Sequence, residues 1–192
     1  TYKGNIDASA VTTITGEAAD VITVYVSKGI SGLGNEATTI SDTKIGADIL
    51  NLLDTYTTGV INAASITTLS GSVADLINVY SSSEISGLGN EAIIITNTSL
   101  TFSELNTLDG YTTGIINIGK VNKLIGTAAE ILRILPFPGI SGLENVAIIL
   151  TDISLSSSVL NTLDGYITGV IDASSITTLS GTVADLINVY SS

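Results

Sequence analysis

Residues 60–82 read VINAASITTLSGSVADLINVYSS, and residues 170–192 read VIDASSITTLSGTVADLINVYSS. They differ only at 62/172, 64/174 and 72/182. A single 55-residue period underlies the likeness: Gly4, Gly59, Gly114 and Gly169 fall on it, as do Gly16, Gly71, Gly126 and Gly181, and Leu33, Leu88 and Leu143. A fixed period without insertions predicts supersecondary units that stack and bury their apolar faces on one another.

Each unit divides again. VTTITG at Val11 recurs as ATTISD at Ala37 (i to i+26), and that in turn as ITTLSG at Ile66 (i to i+29). Short halves fall at 11–36, 66–91 and 121–146, long halves at 37–65, 92–120 and 147–175. The array therefore comprises a partial unit (1–10), three full units (11–65, 66–120, 121–175) and a second partial unit (176–192).

Every half opens with a β-branched segment that reads as a strand and continues into a short helical pattern. Ser72…Asp75, Thr127…Glu130 and Thr182…Asp185 have capping-box spacing, with Glu17 in the cap position of the first copy. Leu76, Val79 and Tyr80 form one helical face, as do Leu105 and Leu108; Asp109-Gly110 then suits a left-handed helix exit. Val60, Ala63, Ile66 and Leu69, and later Val170, Ala173, Ile176 and Leu179, recur every third residue, which predicts inward side chains at successive bends. Gly32 and Gly87 precede an inward leucine where a tight path is expected. Halves of this length match leucine-rich-repeat-like coils. The expected fold is an α/β solenoid of about seven coils, with short parallel strands and short helices in a two-coil, 55-residue repeat.

Charge narrows the function. Eighteen acidic residues against six basic ones give a net charge of −12, which disfavours nucleic acid and anionic membranes as partners. No apolar run is long enough to span a bilayer. The chain has no His and no Cys, so it lacks the usual nucleophile–base pairs and zinc ligands. Carboxylates recur at equivalent cap positions (Asp20, Asp75, Glu130, Asp185) rather than forming a singular pair, which reads as capping and not as catalysis. No enzyme is expected.

Three surfaces compete as binding sites. The turns Gly32-Leu33-Gly34-Asn35-Glu36 and 87–91 offer oxygen donors for calcium, although the third copy reads Gly142-Leu143-Glu144-Asn145-Val146. Pairs Thr12-Thr13, Thr38-Thr39, Thr67-Thr68 and Thr177-Thr178 would form ranks of threonine of the ice-binding kind if they stacked; Ile94-Ile95, Asn122-Lys123 and Ile148-Ile149 interrupt them. Residues 120–140 depart most from the repeat. They hold Lys120, Lys123 and Arg133, and put Pro136, Phe137 and Pro138 into the stretch that usually reads Val-Tyr-Ser-Ser, which makes them a candidate partner patch.

The segments ITTLSGTVADLINVY, GISGLGNEA and LNTLDGYTTG resemble the Thr/Ser-rich tandem repeats of very large secreted or surface proteins of bacteria, of the cyanobacterial type. That resemblance implies an extracellular or cell-surface structural or adhesive role without catalytic residues. The expected function is a stalk, spacer or adhesive scaffold; the alternatives are a protein- or glycan-binding solenoid and a calcium- or ice-binding surface. No cofactor beyond calcium is indicated. Expected partners are flanking repeats, other copies associating end to end, and a surface protein or glycan.

Overall fold

The computed structural model describes residues 4–135 and 138–192. The chain is α/β, with parallel strands in several small sheets and seven helices among the described residues. It divides into two compact units, one of residues 1–94 with 111–114, the other of 95–110 with 115–192.

The first unit contains β1 (Ile6–Asp7), β2 (Thr13–Gly16), α1 (Ala18–Tyr25), β3 (Ile30–Ser31), β4 (Ala37–Ile40), β5 (Lys44–Gly46), α2 (Ala47–Asp54), β6 (Ile61–Asn62), β7 (Thr68–Gly71), α3 (Val73–Ser81), β8 (Ile85–Ser86) and β9 (Ala92–Ile95). Its strands form ladders in the orders β1-β3, β2-β4-β6-β8 and β5-β7-β9. The second unit holds β10 (Ser99–Thr101), α4 (Phe102–Asp109), β11 (Ile116–Asn117), β12 (Lys123–Gly126), α5 (Ala128–Ile134), β13 (Ile140–Ser141), β14 (Ala147–Leu150), β15 (Ser154–Ser156), α6 (Ser157–Asp164), β16 (Ile171–Asp172), β17 (Thr178–Ser180) and α7 (Val183–Ser191). Its orders are β10-β12-β14-β16, β11-β13 and β15-β17.

The strand register differs from both sequence periods. Ile6 pairs with Ile30, Thr13 with Ala37, Lys44 with Thr68, Ser99 with Lys123 and Ser154 with Thr178, each joining residue i to i+24, whereas Thr38 pairs with Ile61 and Ile148 with Ile171, i to i+23. Helix starts instead advance unevenly, by i to i+29 from Ala18 to Ala47 and by i to i+26 from Ala47 to Val73. Strand starts within a ladder are 24 apart (Thr13, Ala37, Ile61, Ile85), so two such steps fall seven residues short of the 55-residue repeat, and seven is the offset from the start of β4 at Ala37 to the start of β5 at Lys44. Hydrogen-bonded strands sit about 4.8 Å apart while packed helices need about 8–10 Å. Starting a fresh ladder one short strand later lets both layers keep their own spacing. The arrangement is compatible with a solenoid.

Burial follows this pattern. The helices bury stripes at i, i+3, i+6: Ala47, Leu50 and Leu53; Val73, Leu76 and Val79; Phe102, Leu105 and Leu108. Such two-turn helices are too short to persist alone and depend on that packing. Tyr80 lies only partly on its stripe. The three-residue periodicity needs one correction. Val60 is 54% exposed and Val170 73%, whereas Ile61, Ala63, Ile66 and Leu69 are buried. Extended chain through β6 turns Ile61 and Ala63 to the same side with Asn62 between them, and only beyond Ala63 do the bends set the spacing. Leu33, Leu88 and Leu143 are half-buried and not core residues.

Two glycine columns have different causes. Gly32, Gly87 and Gly142 have φ of +85°, +87° and +89°, and a Cβ there would sit 2.8, 2.8 and 2.6 Å from the backbone nitrogens of Ser9, Ala64 and Gly119. At Gly59 and Gly114 the obstacle is space, because a methyl group would run into the carbonyl oxygens of Glu36 and Glu91. The expected left-handed exit at Gly110 does not occur: its φ is −71°, and its amide donates to Asn106 as in a continuing helix.

Candidate functional site

Of the expected capping boxes, the one at Thr127/Glu130 is complete, and a second, unforeseen one occurs at Thr101/Glu104. At Ser72/Asp75 and Thr182/Asp185 only half of the motif forms. The hydroxyl accepts from the aspartate amide, and the carboxylate takes the hydroxyl proton without reaching the cap amide. Aspartate is one methylene shorter than glutamate, which is the physical reason. Backbone and side-chain bonds from Thr127 hold the Glu130 carboxyl below its ordinary range, against a smaller opposing push from burial. Glu17 makes no cap bond to α1; instead α1 and α5 are each capped from the turn after a strand, Asp42 accepting from the Ala18 amide at 2.8 Å and Asp152 from the Ala128 amide at 2.7 Å. The recurrent acids thus sit at helix ends, where negative charge is favourable.

The glycine-rich turns fold around a buried glutamate. Glu36 and Glu91 are almost fully buried. Oε2 of Glu36 accepts from the Gly34 amide at 2.8 Å and from the Tyr25 hydroxyl at 3.1 Å. Glu91 accepts from the amides of Gly89 and Asn90 and from the Tyr80 hydroxyl. Burial pushes the Glu36 carboxyl up, but the amide and phenol bonds outweigh it and leave it below the ordinary carboxylate range. Burial, then the Glu91 carboxylate, pushes the Tyr80 phenol well above its usual range.

The tyrosines stack in turn, Tyr25 on Tyr56 with centroids 6.1 Å apart and Tyr80 on Tyr111 at 5.1 Å. Thr57 and Thr112 donate to the main-chain carbonyls of Glu36 and Glu91, which closes each turn. The bonds to Glu36 all fall on Oε2, while its buried Oε1 has no partner, and no group of three acidic side chains suited to a metal ion occurs among the described residues. The calcium expectation for 32–36 and 87–91 finds one buried carboxylate per turn.

The threonine pairs do not stack as ranks. Thr13 lies beside Ala37, Thr38 beside Ile61, Thr68 beside Lys44 and Thr178 beside Ser154; Thr38 is itself buried. The ladder steps by i to i+23 or i+24, short of the threonine positions that recur at i+26 and i+29.

In the 120–140 patch, Lys120, Lys123, Arg133 and Pro138 are exposed, while Pro136 and Phe137 lie outside the described residues. Arg133 lies over the Phe102 ring at 5.5 Å and donates to Asn106 at 3.5 Å. Lys123 instead acts electrostatically on Asp172. The basic residues thus engage different neighbours.

A cleft of about 450 Å³ in the second unit is lined by Asn161, Asp164, Val170, Ile171, Ala173 and Val189 among others. It lies beside β16, the last strand of its sheet. No helix among the described residues is long and apolar enough to cross a membrane. No family model matches the chain, and neither does any curated protein or solved structure.

Proposed function

We propose that this chain is a non-catalytic structural array, a stalk, spacer or adhesive scaffold segment within a large extracellular protein. It is built as a leucine-rich-repeat-like solenoid of about seven coils. The observation that carries this reading is how the polar groups capable of chemistry are used. Asp42, Asp152, Glu104 and Glu130 cap helices, Glu36 and Glu91 close turns, and the same roles return down the chain. An active site needs a singular constellation; here each polar device caps a helix or closes a turn in its own coil or in the one before it. Neutral Ser, Thr and Asn keep the surface soluble with only 12% charged residues, a composition suited to a passive surface module.

The spacer reading requires end separation to grow with copy number. The test places the chain between two fluorescent proteins and inserts one, then two, further copies of residues 66–120 after Lys120. Energy transfer should fall with each insertion and stay the same with calcium or chelator. Unchanged transfer on insertion, or transfer that responds to calcium, would count against the proposal.

A further inference from the structure

Two phenols of the first unit are held face to face by separate anchors. Tyr80 lies half-buried in the last turn of α3, and its hydroxyl donates to the Glu91 carboxylate. Tyr111 follows α4, and the residues after it are fixed to the glycine-rich turn. The Thr113 amide donates to the Gly89 carbonyl and the Thr112 hydroxyl to the Glu91 carbonyl, both at 2.9 Å. The Tyr80 and Tyr111 rings are parallel within 3°, with centroids 5.1 Å apart. Tyr111 is 37% exposed, so its ring is the one that an oxidant in solution reaches.

Each phenol also has somewhere to send its proton. A neutral phenol loses an electron readily when the proton leaves at the same time, to an acceptor within hydrogen-bond reach. For Tyr80 that acceptor is Glu91, which is almost fully buried and held by the amides of Gly89 and Asn90. The Tyr111 hydroxyl shares a hydrogen bond of 3.3 Å with the exposed Ser81 hydroxyl, which opens to solvent. Tyr25, Tyr56 and Glu36 repeat the arrangement, with rings parallel within 8° but centroids 6.1 Å apart. In the next repeat Leu135 and Tyr166 stand at the positions of Tyr80 and Tyr111, so that copy carries a single phenol.

We infer that Tyr80 and Tyr111 form an oxidative cross-linking site, joined as dityrosine by one-electron oxidants of the haem-peroxidase class with hydrogen peroxide as electron acceptor. Each phenol loses one electron and its O–H proton, from Tyr80 through Glu91 and from Tyr111 directly to solvent. The two phenoxyl radicals then form a carbon–carbon bond between ortho carbons. The ortho protons move to the phenol oxygens, which restores both aromatic rings. In all, the pair loses two electrons and two protons, and hydrogen peroxide takes them up to become two molecules of water. Parallel rings present their faces to one another, and this proximity favours coupling within the chain over coupling between chains. The product ties the end of α3 to the turn after α4, a covalent staple in a chain without cysteine.

The test treats the dilute full chain with a haem peroxidase and hydrogen peroxide, then digests the monomer fraction for mass spectrometry. The expected main product is a peptide pair joined through Tyr80 and Tyr111, lighter by two hydrogens than its parts and carrying dityrosine fluorescence. A weaker link between Tyr25 and Tyr56 should accompany it. Tyr111→Phe keeps a ring in the stack but removes the second phenol, and should abolish the main product. Glu91→Gln keeps the side-chain size but removes the proton acceptor. It should slow the Tyr80–Tyr111 link by roughly tenfold or more and leave the Tyr25–Tyr56 link as the internal reference. Links spread evenly over the seven tyrosines, or found only between molecules, would overturn the assignment. So would a main product that survives Tyr111→Phe.

Discussion

The Tyr80 hydroxyl donates to the buried carboxylate of Glu91, and one repeat later Leu135 and Val146 replace both members of that pair by aliphatic side chains. Tyr25 and Glu36 form the pair one repeat earlier. Losing the phenol alone would leave the buried Glu91 carboxylate short of a donor, whereas replacing both side chains removes the carboxylate as well. Tyr80→Leu alone should therefore destabilise by about 1–3 kcal/mol, and the double change Tyr80→Leu with Glu91→Val by clearly less than the sum of the singles. Urea midpoints of the two single variants and the double variant check this; additive losses would mean that the pair is not coupled.

Acid should weaken the fold. The folded-state values of Glu36 and Glu130 lie below the ordinary glutamate value of 4.5. A depressed carboxyl contributes stability above its unfolded value, and the contribution is lost as pH falls through the lowered folded value. Melting temperature should then be flat from pH 8 to about 5 and drop below about 4.5, since there is no histidine to titrate between. Glu36→Gln should shallow the acid slope.

Gly87 and Gly165 should answer differently to alanine. Gly87 has φ of +87° and a Cβ position 2.8 Å from the Ala64 nitrogen, so Gly87→Ala should destabilise by at least about 1–3 kcal/mol. Gly165 has φ of −68° and its nearest neighbour at 3.5 Å, so Gly165→Ala should be neutral or stabilise by up to about 1 kcal/mol. Thermal melts of the two variants decide it.

Removing the Asp152 carboxylate should loosen a helix it does not belong to. Asp152→Ala leaves the Ala128 amide uncapped and should cost about 1 kcal/mol. Hydrogen exchange should quicken at the start of α5, residues 128–130, and not at the start of α6. Equal change at both helices would assign the effect to general destabilisation.

The repeat, the helix faces through Leu76 and Leu105, and the need for glycine at 32 and 87 are legible in the sequence, because hydrophobic spacing and turn chemistry are local. The ladder is not. A register of i to i+23 or i+24 is a tertiary property that appears in neither the 26/29 nor the 55 period, and stacking the chain on those periods misaligns the threonine pairs. Val60 falls in the core only if a period of three is carried one bend too far, into the extended segment around Ile61. The tyrosine–glutamate site is visible in principle. Tyr25 and Tyr80 recur with Glu36 and Glu91, and both partners are lost together at 135 and 146; positions read singly do not reveal that coupling. The cross-strand cap from Asp42 carries no local signal, since the amide it receives lies one ladder step back, at Ala18.

The ladder step is the point on which the rest depends, and the absence of cysteine makes it directly measurable. Thr15 lies beside Thr39 in the parallel ladder of β2 and β4. Neighbouring strands about 4.8 Å apart fall within reach of a disulfide. A chain with Thr15→Cys and Thr39→Cys should cross-link within the monomer under mild oxidation, and one with Thr15→Cys and Ser41→Cys should stay reduced. Preferential closure of the second pair would put stacking at the shorter sequence period, i to i+26, and contradict the ladder of i to i+24.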